Sequence, residues 1–429
     1  MTIKFLPKLN ELCYALVTKG FDALEKKKTK NSVFRFALYI IRKNIFSLHK
    51  LKIRIPRTKE SVIFNYSTTN QYNTLRTLMS HLPGNATSYR NIENTFNPRI
   101  HTLELLALMS IPRILFTFYF SNKETKLCLQ KNIYQIYLSY GLYLWARLFY
   151  KKNKSIKILI TANDHYFENV PFTFAANNCA ISTIYIQHAS VTQNFPKLTF
   201  TYSLLDGIDA LEKYAIKGID KTTVILTGNP KNDILLEDKN EQKENFGICV
   251  SRGDSYEEVI SRIKKLKSYN LNLIVRPHPA VKDEWMKTCT SEGWPISDPS
   301  DENVFDFIKK ITIMVSGDSN IILEGALYKK SIIYIASTYL YDYYGFVKNN
   351  IIDYEYKSQN DFIKNFQNDY PFPRKTDYNS LKRYNHSINT SFENKSTQFV
   401  CYFVKQITEG NDLKSITGLA KKDNYYEIQ

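Results

Sequence analysis

From Lys157 onward, apolar runs of strand length alternate with stretches whose apolar residues recur at helical spacing, the pattern of parallel α/β units. The runs "IKILITAN", "STIYIQHA", "LTFTYSLLDG" and "TTVILTGNP" read as strands, with "NVPFTFAANNCA" and "DALEKYAIKGI" as helices between them. "EDKNEQKENF" then lacks any apolar residue until Phe246 and reads as a linker. A second series follows: strands "FGICVSR", "LNLIVRPHP", "TIMVSG" and "SIIYIAS", separated by helices such as "SYEEVISRIKKLKSY", "KDEWMKTCT", "NVFDFIKKI" and "SNIILEGALYKK". Two Rossmann-like halves imply a cleft between them, with ligands at the carboxyl ends of the strands.

The pattern divides the chain into four parts. Residues 1–60 form a basic helical region, 61–240 a first Rossmann-like domain that starts at "SVIFNYS" and carries a helical insertion over 100–150, and 246–375 a second Rossmann-like domain. Residues 376–429, rich in Asn, Lys and Tyr, read as terminal helices with a frayed end. At 429 residues with 43% hydrophobic content, the chain has enough apolar material for two cores.

Charge adds a partner to this picture. The formal charge of +17 calls for an anionic one, and twelve Lys or Arg with no Asp or Glu fall between Lys26 and Lys59, interleaved with Phe, Ile and Leu. That interleaving describes a helix lying on an anionic membrane surface, or a basic helix packed on its own domain. Nucleic acid is disfavoured, because no helix-turn-helix, zinc-knuckle or RNA-recognition signature accompanies the charge. The run from Leu103 to Phe120 carries Glu104, Pro112 and Arg113 and reads as a buried or interfacial helix. Six cysteines, scattered without CxxC spacing, fit a reducing cytoplasm, and the N-terminus lacks a signal-peptide core. The expected location is cytoplasmic, peripheral at the inner face of the cell membrane.

Candidate chemistry gathers at the strand ends. In the second half, Arg276, His278 and Pro279 follow one strand, and Ser316, Gly317, Asp318 and Ser319 follow another. Glu324 lies a turn and a half into a helix starting at Asp318, and Arg252 follows "GICVS". Backbone amides, hydroxyls and cations together suit a phosphate or pyrophosphate, with Glu324 accepting from ribose hydroxyls. Ser316 and Ser319 read equally as an ordinary capping turn, and His278 as a strand-end histidine bonded to backbone. No Gly-x-Gly-x-x-Gly, P-loop or Asp-x-Asp motif is present, so neither a metal nor a resident cofactor is expected. In the first half, Asp164, His165, His188 and Asp206 are candidates for the base that deprotonates an acceptor hydroxyl. Asp206 reads equally as the cap of the next helix, and Gly207 as room for close approach.

The ordered set "IQHAS", "TGNPKND", "RPHP", "SGDSNIILEGAL" resembles the bacterial GT-B transferases of capsule, lipopolysaccharide and teichoic acid synthesis, over roughly residues 157–345. Both the sialyltransferase-like and the CDP-glycerol glycerophosphotransferase-like branches share a His-Pro motif and a serine pair, which in the second is followed by a glutamate. Ala189 stands where the second branch has a glycine after its histidine, and Leu205 where the first has another acid. The resemblance implies a GT-B-like fold and a cytidine-nucleotide donor, with His278 on the phosphate, Ser316 and Ser319 on phosphate or cytidine, and Glu324 on ribose. It implies a glycosyltransferase that moves a sugar such as a sialic or related ulosonic acid from a CMP-activated donor to a glycan or lipid-linked acceptor. A CDP-glycerol or CDP-ribitol transferase, a UDP-sugar 2-epimerase-like enzyme and a non-catalytic membrane scaffold are the alternatives.

Overall fold

The computed structural model describes residues 6–13, 32–45, 53, 55–88, 95–236, 245–336 and 341–429. Residues 237–244 of the linker expected over 237–246, and much of the basic run (26–31, 46–52 and 54), lie outside them, and the last two linker residues begin a strand. The first sheet contains β1 (Val62–Asn65), β2 (Asn85–Thr87), β3 (Thr95–Phe96), β4 (Ile158–Thr161), β5 (Ser182–Ile186), β6 (Tyr202–Leu205) and β7 (Thr223–Leu226). The second contains β8 (Asn245–Val250), β9 (Asn272–Pro277), β10 (Ile313–Ser316), β11 (Ser331–Ile335) and β12 (Tyr354–Tyr356). A last pair, β13 (Leu419–Lys421) and β14 (Tyr426–Ile428), returns to the first sheet.

Spatial order in the first sheet is β13-β14-β7-β6-β5-β4-β1-β2-β3, and in the second β12-β11-β10-β8-β9. All neighbours are parallel except the antiparallel β13–β14 hairpin. These are the two doubly wound orders, and each has one switch point where successive strands depart to opposite sides: β1/β4 in the first sheet and β8/β10 in the second.

The strands are apolar on both faces because helices cover both. In the first sheet, Ile63 and Leu159 point into one cluster with Tyr137, Trp145 and Phe149 of the Lys123–Lys152 helix. Their sequence neighbours Val62, Phe64, Ile158 and Ile160 point into the other, against Leu75, Leu78, Phe399, Phe403 and Val404. Gly141 is required where the long helix crosses the Ile100–Ala107 helix, since a Cβ there would sit 2.3 Å from the Leu103 carbonyl oxygen. The helical insertion read over 100–150 is therefore a packing layer of the first domain.

Two expectations fail. The C-terminus is anchored: the Ser396–Glu409 helix packs on the first sheet and β14 pairs with β7, so 396–429 belongs with the first domain, whereas Leu381, Tyr384 and Ile388 ahead of it pack into the core of the second. The helix after β10 starts at Ile321, with Asn320 as its cap residue, so Glu324 lies in its first turn and the "SGDS" stretch is loop.

Candidate functional site

Because all the domain strands are parallel, every β-to-loop exit named above falls on one edge of its sheet. The two edges touch directly. The Ser190 amide donates to Asn320 Oδ1 at 2.9 Å, and Lys231 Nζ lies 2.8 Å from Glu324 Oε1 and 3.2 Å from the His188 carbonyl oxygen. Exits from β5 and β7 thus meet the β10 exit, and Lys231, which the sequence reading passed over, is the cation between them. Its signal was its place in "TGNPKND", directly at the end of a strand.

On the second-domain side the predicted residues divide. Glu324 is buried and paired with Lys231. Ser316 is fully buried, and its Oγ has no hydrogen-bond partner in the protein. Gly317 leaves room for Asp254, whose carboxylate a Cβ would meet at 2.6 Å, and Asp254 in turn accepts from the Ser251 amide and hydroxyl. Ser319 is half-buried, Arg252 and Pro279 are exposed, and exposed His278 accepts at Nδ1 from the Ala280 amide at 3.0 Å. That bond places the neutral ring's proton on Nε2, ready to donate to an anion. Partial desolvation of the ring, followed by nearby Arg252, holds the His278 pKa below its usual value.

Arg276 and Asp318 are already engaged. The Arg276 guanidinium bonds Ser297 and the Glu302 carbonyl and stacks over Phe307, at 5.3 Å from the ring centroid. Asp318 accepts from the Tyr334 hydroxyl at 2.7 Å and the Tyr343 amide at 2.9 Å, tying the β10 exit to the loop beyond residue 341. In this structure both hold the loops at the exits of β9 and β10.

On the first-domain side Asp206 is sealed. A Cβ on Gly207 would meet the Arg383 carbonyl at 2.3 Å, and the His386 amide donates to the Asp206 carbonyl, so the space this glycine leaves is filled by the chain's own C-terminal segment. The next helix, Ile208–Ala215, has no side-chain cap, so the capping alternative for Asp206 fails too. Burial pushes the Asp206 carboxyl up to about 8, against a smaller lowering by Lys231. The "GNPKND" turn is similarly accounted for. Gly228 is in the left-handed region, Asn229 Nδ2 bridges the Gln187 carbonyl and Asp206 Oδ2, and Asp233 caps the Ser396–Glu409 helix through the Ser396 and Thr397 amides.

His188, His165 and Asp164 remain. His165 Nδ1 is 2.7 Å from Asp164 Oδ1, and Asp164 Oδ2 accepts from Tyr214, which bonds Tyr185. The His165 ring stands edge-on to Phe195 and Tyr166. His188 lies within electrostatic reach of His165 and Asp164, and its Nδ1, a buried atom, is without a protein partner. Burial first, and His165 second, push His188 down to about 4, so it is a neutral acceptor near pH 7. Buried polar atoms lacking a protein partner are few in folded chains, and here several sit at strand exits: Ser67 Oγ and Gln71 Nε2 after β1, Asn163 Nδ2 after β4, His188 Nδ1 and Ser190 Oγ after β5, Ser316 Oγ after β10. The sequence reading missed Ser67, Gln71, Asn163 and Ser190, because isolated polar residues at strand ends look like ordinary turn residues. Among the described residues, no group of three or more His, Cys, Asp or Glu could hold a metal ion.

Two Rossmann-like domains whose strand-exit edges meet across a cleft define a GT-B fold. No family model and no curated protein matches the chain in sequence. Among solved structures it is similar to the UDP-GlcNAc 2-epimerase of Methanocaldococcus jannaschii in complex with UDP-GlcNAc and UDP, at 10% identity and TM-score 0.51, covering 80% of this chain and 99% of that one. It is also similar to a variant of the wall teichoic acid polymerase TagF, at 11% identity and TM-score 0.50, covering 88% and 98%.

Proposed function

We propose that the chain is a transferase of bacterial surface polysaccharide synthesis that takes its transferred group from a cytidine-nucleotide donor, with His188 as the base. The observation that carries this reading is His188, whose buried Nδ1 has no protein partner and whose carbonyl oxygen accepts from Lys231, the cation paired with Glu324 of the facing domain. The donor lies along the β8–β10 edge, with phosphate at His278 and Ser316 and ribose at Glu324. The acceptor hydroxyl lies along the β4–β5 edge. His188 Nδ1 takes its proton, the oxygen attacks the reactive centre of the donor, and the bond to the nucleotide breaks with its electrons leaving on phosphate. Lys231 and His278 Nε2–H stabilise that charge.

The sealed Asp206 shifts the preferred donor. A CMP-sugar transferase of the sialyltransferase-like kind relies on an acid at this position, whereas transfer of a polyol phosphate from CDP-glycerol or CDP-ribitol asks only for a histidine at the His188 position. The latter is the first donor class to assay, and CMP-activated sialic or ulosonic acids the second. The likeness to UDP-GlcNAc 2-epimerases keeps a UDP-sugar reading as the competitor.

Thermal-shift titration with CMP, CDP, UMP and UDP, followed by CMP release from CDP-glycerol, tests the proposal. A ligand at about 100 times its dissociation constant stabilises the fold by about 2.7 kcal/mol. Cytidine-selective stabilisation lost in His278→Ala, with turnover lost in His188→Ala, supports the reading. Uridine selectivity with conversion of UDP-GlcNAc defeats it.

A further inference from the structure

Two packed helices of the first domain have apolar residues on both faces. The Val33–Ile45 helix buries Val33, Ala37 and Ile40 in the domain core, yet its outer face carries Phe34, Leu38 and Tyr39, each more than half exposed. Beside it the Ile111–Phe120 helix buries Ile111 and Ile114 and turns out Phe116, Tyr119 and Phe120, all at least 60% exposed. The two helices are joined by Phe34 against Phe118, with ring centroids 6.2 Å apart, and Phe116, Tyr119 and Phe120 form one cluster with centroid separations of 4.5 and 5.0 Å. A surface helix of a soluble domain presents polar residues outward, and one apolar all round has a second apolar environment.

Charge identifies that environment. Residues 32–45 and 105–123 contain no Asp or Glu, while Arg35 and Arg42 are exposed on the first helix. Of the carboxylates that flank 105–123, Glu104 is buried and bonded to Lys43 and Tyr134, and Glu124 is exposed in the first turn of the long helix, next to Lys123. An isologous contact with a second copy would bring this arginine-bearing face against itself, with no acid on either of its two helices. An aromatic face rimmed by cations suits a bilayer interface with anionic headgroups. The Ile100–Phe120 run is long and apolar enough to cross a membrane by length and composition. Crossing would strip Leu103, Ala107, Ile111 and Ile114 from their packing against the long helix and Glu104 from its partners.

We propose that this two-helix face docks the protein on an anionic membrane surface, with Phe34, Leu38, Phe116, Tyr119 and Phe120 entering the interface and Arg35 and Arg42 facing headgroup phosphates. The inference is independent of how the cleft is read.

The test is co-sedimentation of the full-length chain with vesicles of equal parts phosphatidylglycerol and phosphatidylcholine, and with phosphatidylcholine alone. The wild type is expected to bind the anionic vesicles and to lose that preference between about 0.1 M and about 1 M salt. Leu38→Ser/Phe116→Ser/Phe120→Ser should weaken binding at least about tenfold, and Arg35→Glu/Arg42→Glu by about tenfold or more on anionic vesicles only. Ile216→Ser, at an isolated exposed apolar residue elsewhere, should change nothing. Circular dichroism melts check that each variant folds, and the salt series on wild type reads the charge contribution should the triple variant fail to fold. Wild type remaining in the supernatant, a triple variant that binds as tightly as wild type, a dimer in the absence of lipid that this variant abolishes, or resistance of the membrane-bound protein to alkaline extraction would each overturn the proposal.

Discussion

The strand-exit edges of the two domains are finished differently. On the first sheet, the β6 and β7 exits are closed by residues 383–397: Gly207 against Arg383, Asp206 beneath His386, and Asp233 capping the Ser396–Glu409 helix. The β4 and β5 exits on the same edge stay chemically open, with Asn163, His188 and Ser190 each holding a buried atom that no protein group bonds. On the second sheet, Leu381, Tyr384 and Ile388 of the C-terminal segment pack into the core, and Ser316 and His278 Nε2 remain available beside a scaffold of engaged residues, Arg276, Asp318 and Asp254. Chemistry-bearing residue types occur in the closed and open parts alike. The closed part is not free of unpartnered atoms, since Asn232 Oδ1 and Ser396 Oγ are also buried without a protein partner, but there the chain itself fills the space beside Gly207 and Gly228.

Four substitutions probe that division, in order of their expected effect on turnover. His188→Ala removes the base and should lower turnover by about 10² to 10⁴ with nucleotide-induced stabilisation unchanged. Equal loss of nucleotide binding would place His188 on the donor instead. Since burial holds its pKa at about 4, the acid limb of the pH–rate profile should extend well below the usual histidine range, to near pH 4 where the fold survives. An acid limb near 6.5 would assign the base to a group less buried than His188.

Lys231→Met should come next. Loss of a charge-assisted contact to phosphate is worth about 1.5–3 kcal/mol, or roughly 10- to 100-fold in donor affinity. The same change leaves Glu324 without its cation, so Lys231→Arg, which keeps the charge, should recover most of the loss. A purely structural pair would change thermal stability and leave nucleotide affinity alone, a split that calorimetry reads directly.

Asp233→Ala belongs to the closed side. It removes two amide bonds from the cap of the Ser396–Glu409 helix and should cost about 1–2 kcal/mol of stability, measured by urea unfolding, with turnover per folded molecule unchanged.

Much of this was legible in the sequence, for a physical reason. Strands buried on both faces must be continuous apolar runs, so β4 to β11 announce themselves, and parallel topology then places His188, Ser316 and Glu324 on the cleft edges without any knowledge of contacts. Three things were hidden. Arg276 looks free at a strand end because Ser297, Glu302 and Phe307 are distant in sequence, beyond the reach of any local pattern. The Asp206-Gly207 pair invites a ligand until Arg383, more than 170 residues on, is seen to fill the space. The hairpin of β13 and β14, "LAKKDNYYEI", lacks the apolar alternation of a strand pair, since its pairing with β7 and the burial of Ile428 hold it in place.

Asp206→Asn gives the sharpest contrast with His188→Ala, because the two residues exit adjacent strands and were equal candidates. If the Asp206 carboxyl is neutral and sealed, the amide is a near-isosteric replacement and turnover should hold within about twofold. Stability should respond instead. An aspartate with its folded pKa raised from 3.8 to about 8 keeps a proton in the folded state that the unfolded chain has released. Between those limits the unfolded state binds fewer protons, so stability falls as pH rises, by at most about 1.4 kcal/mol per pH unit for this one group. Below about pH 4 both states are protonated, and the penalty is absent. The asparagine variant does not titrate, so its stability relative to wild type should climb from pH 4 to pH 8 and then level off, in parallel urea melts at fixed ionic strength. A flat difference across that range, together with collapse of turnover, would show a charged, working Asp206 and would return the CMP-sugar donor to first place.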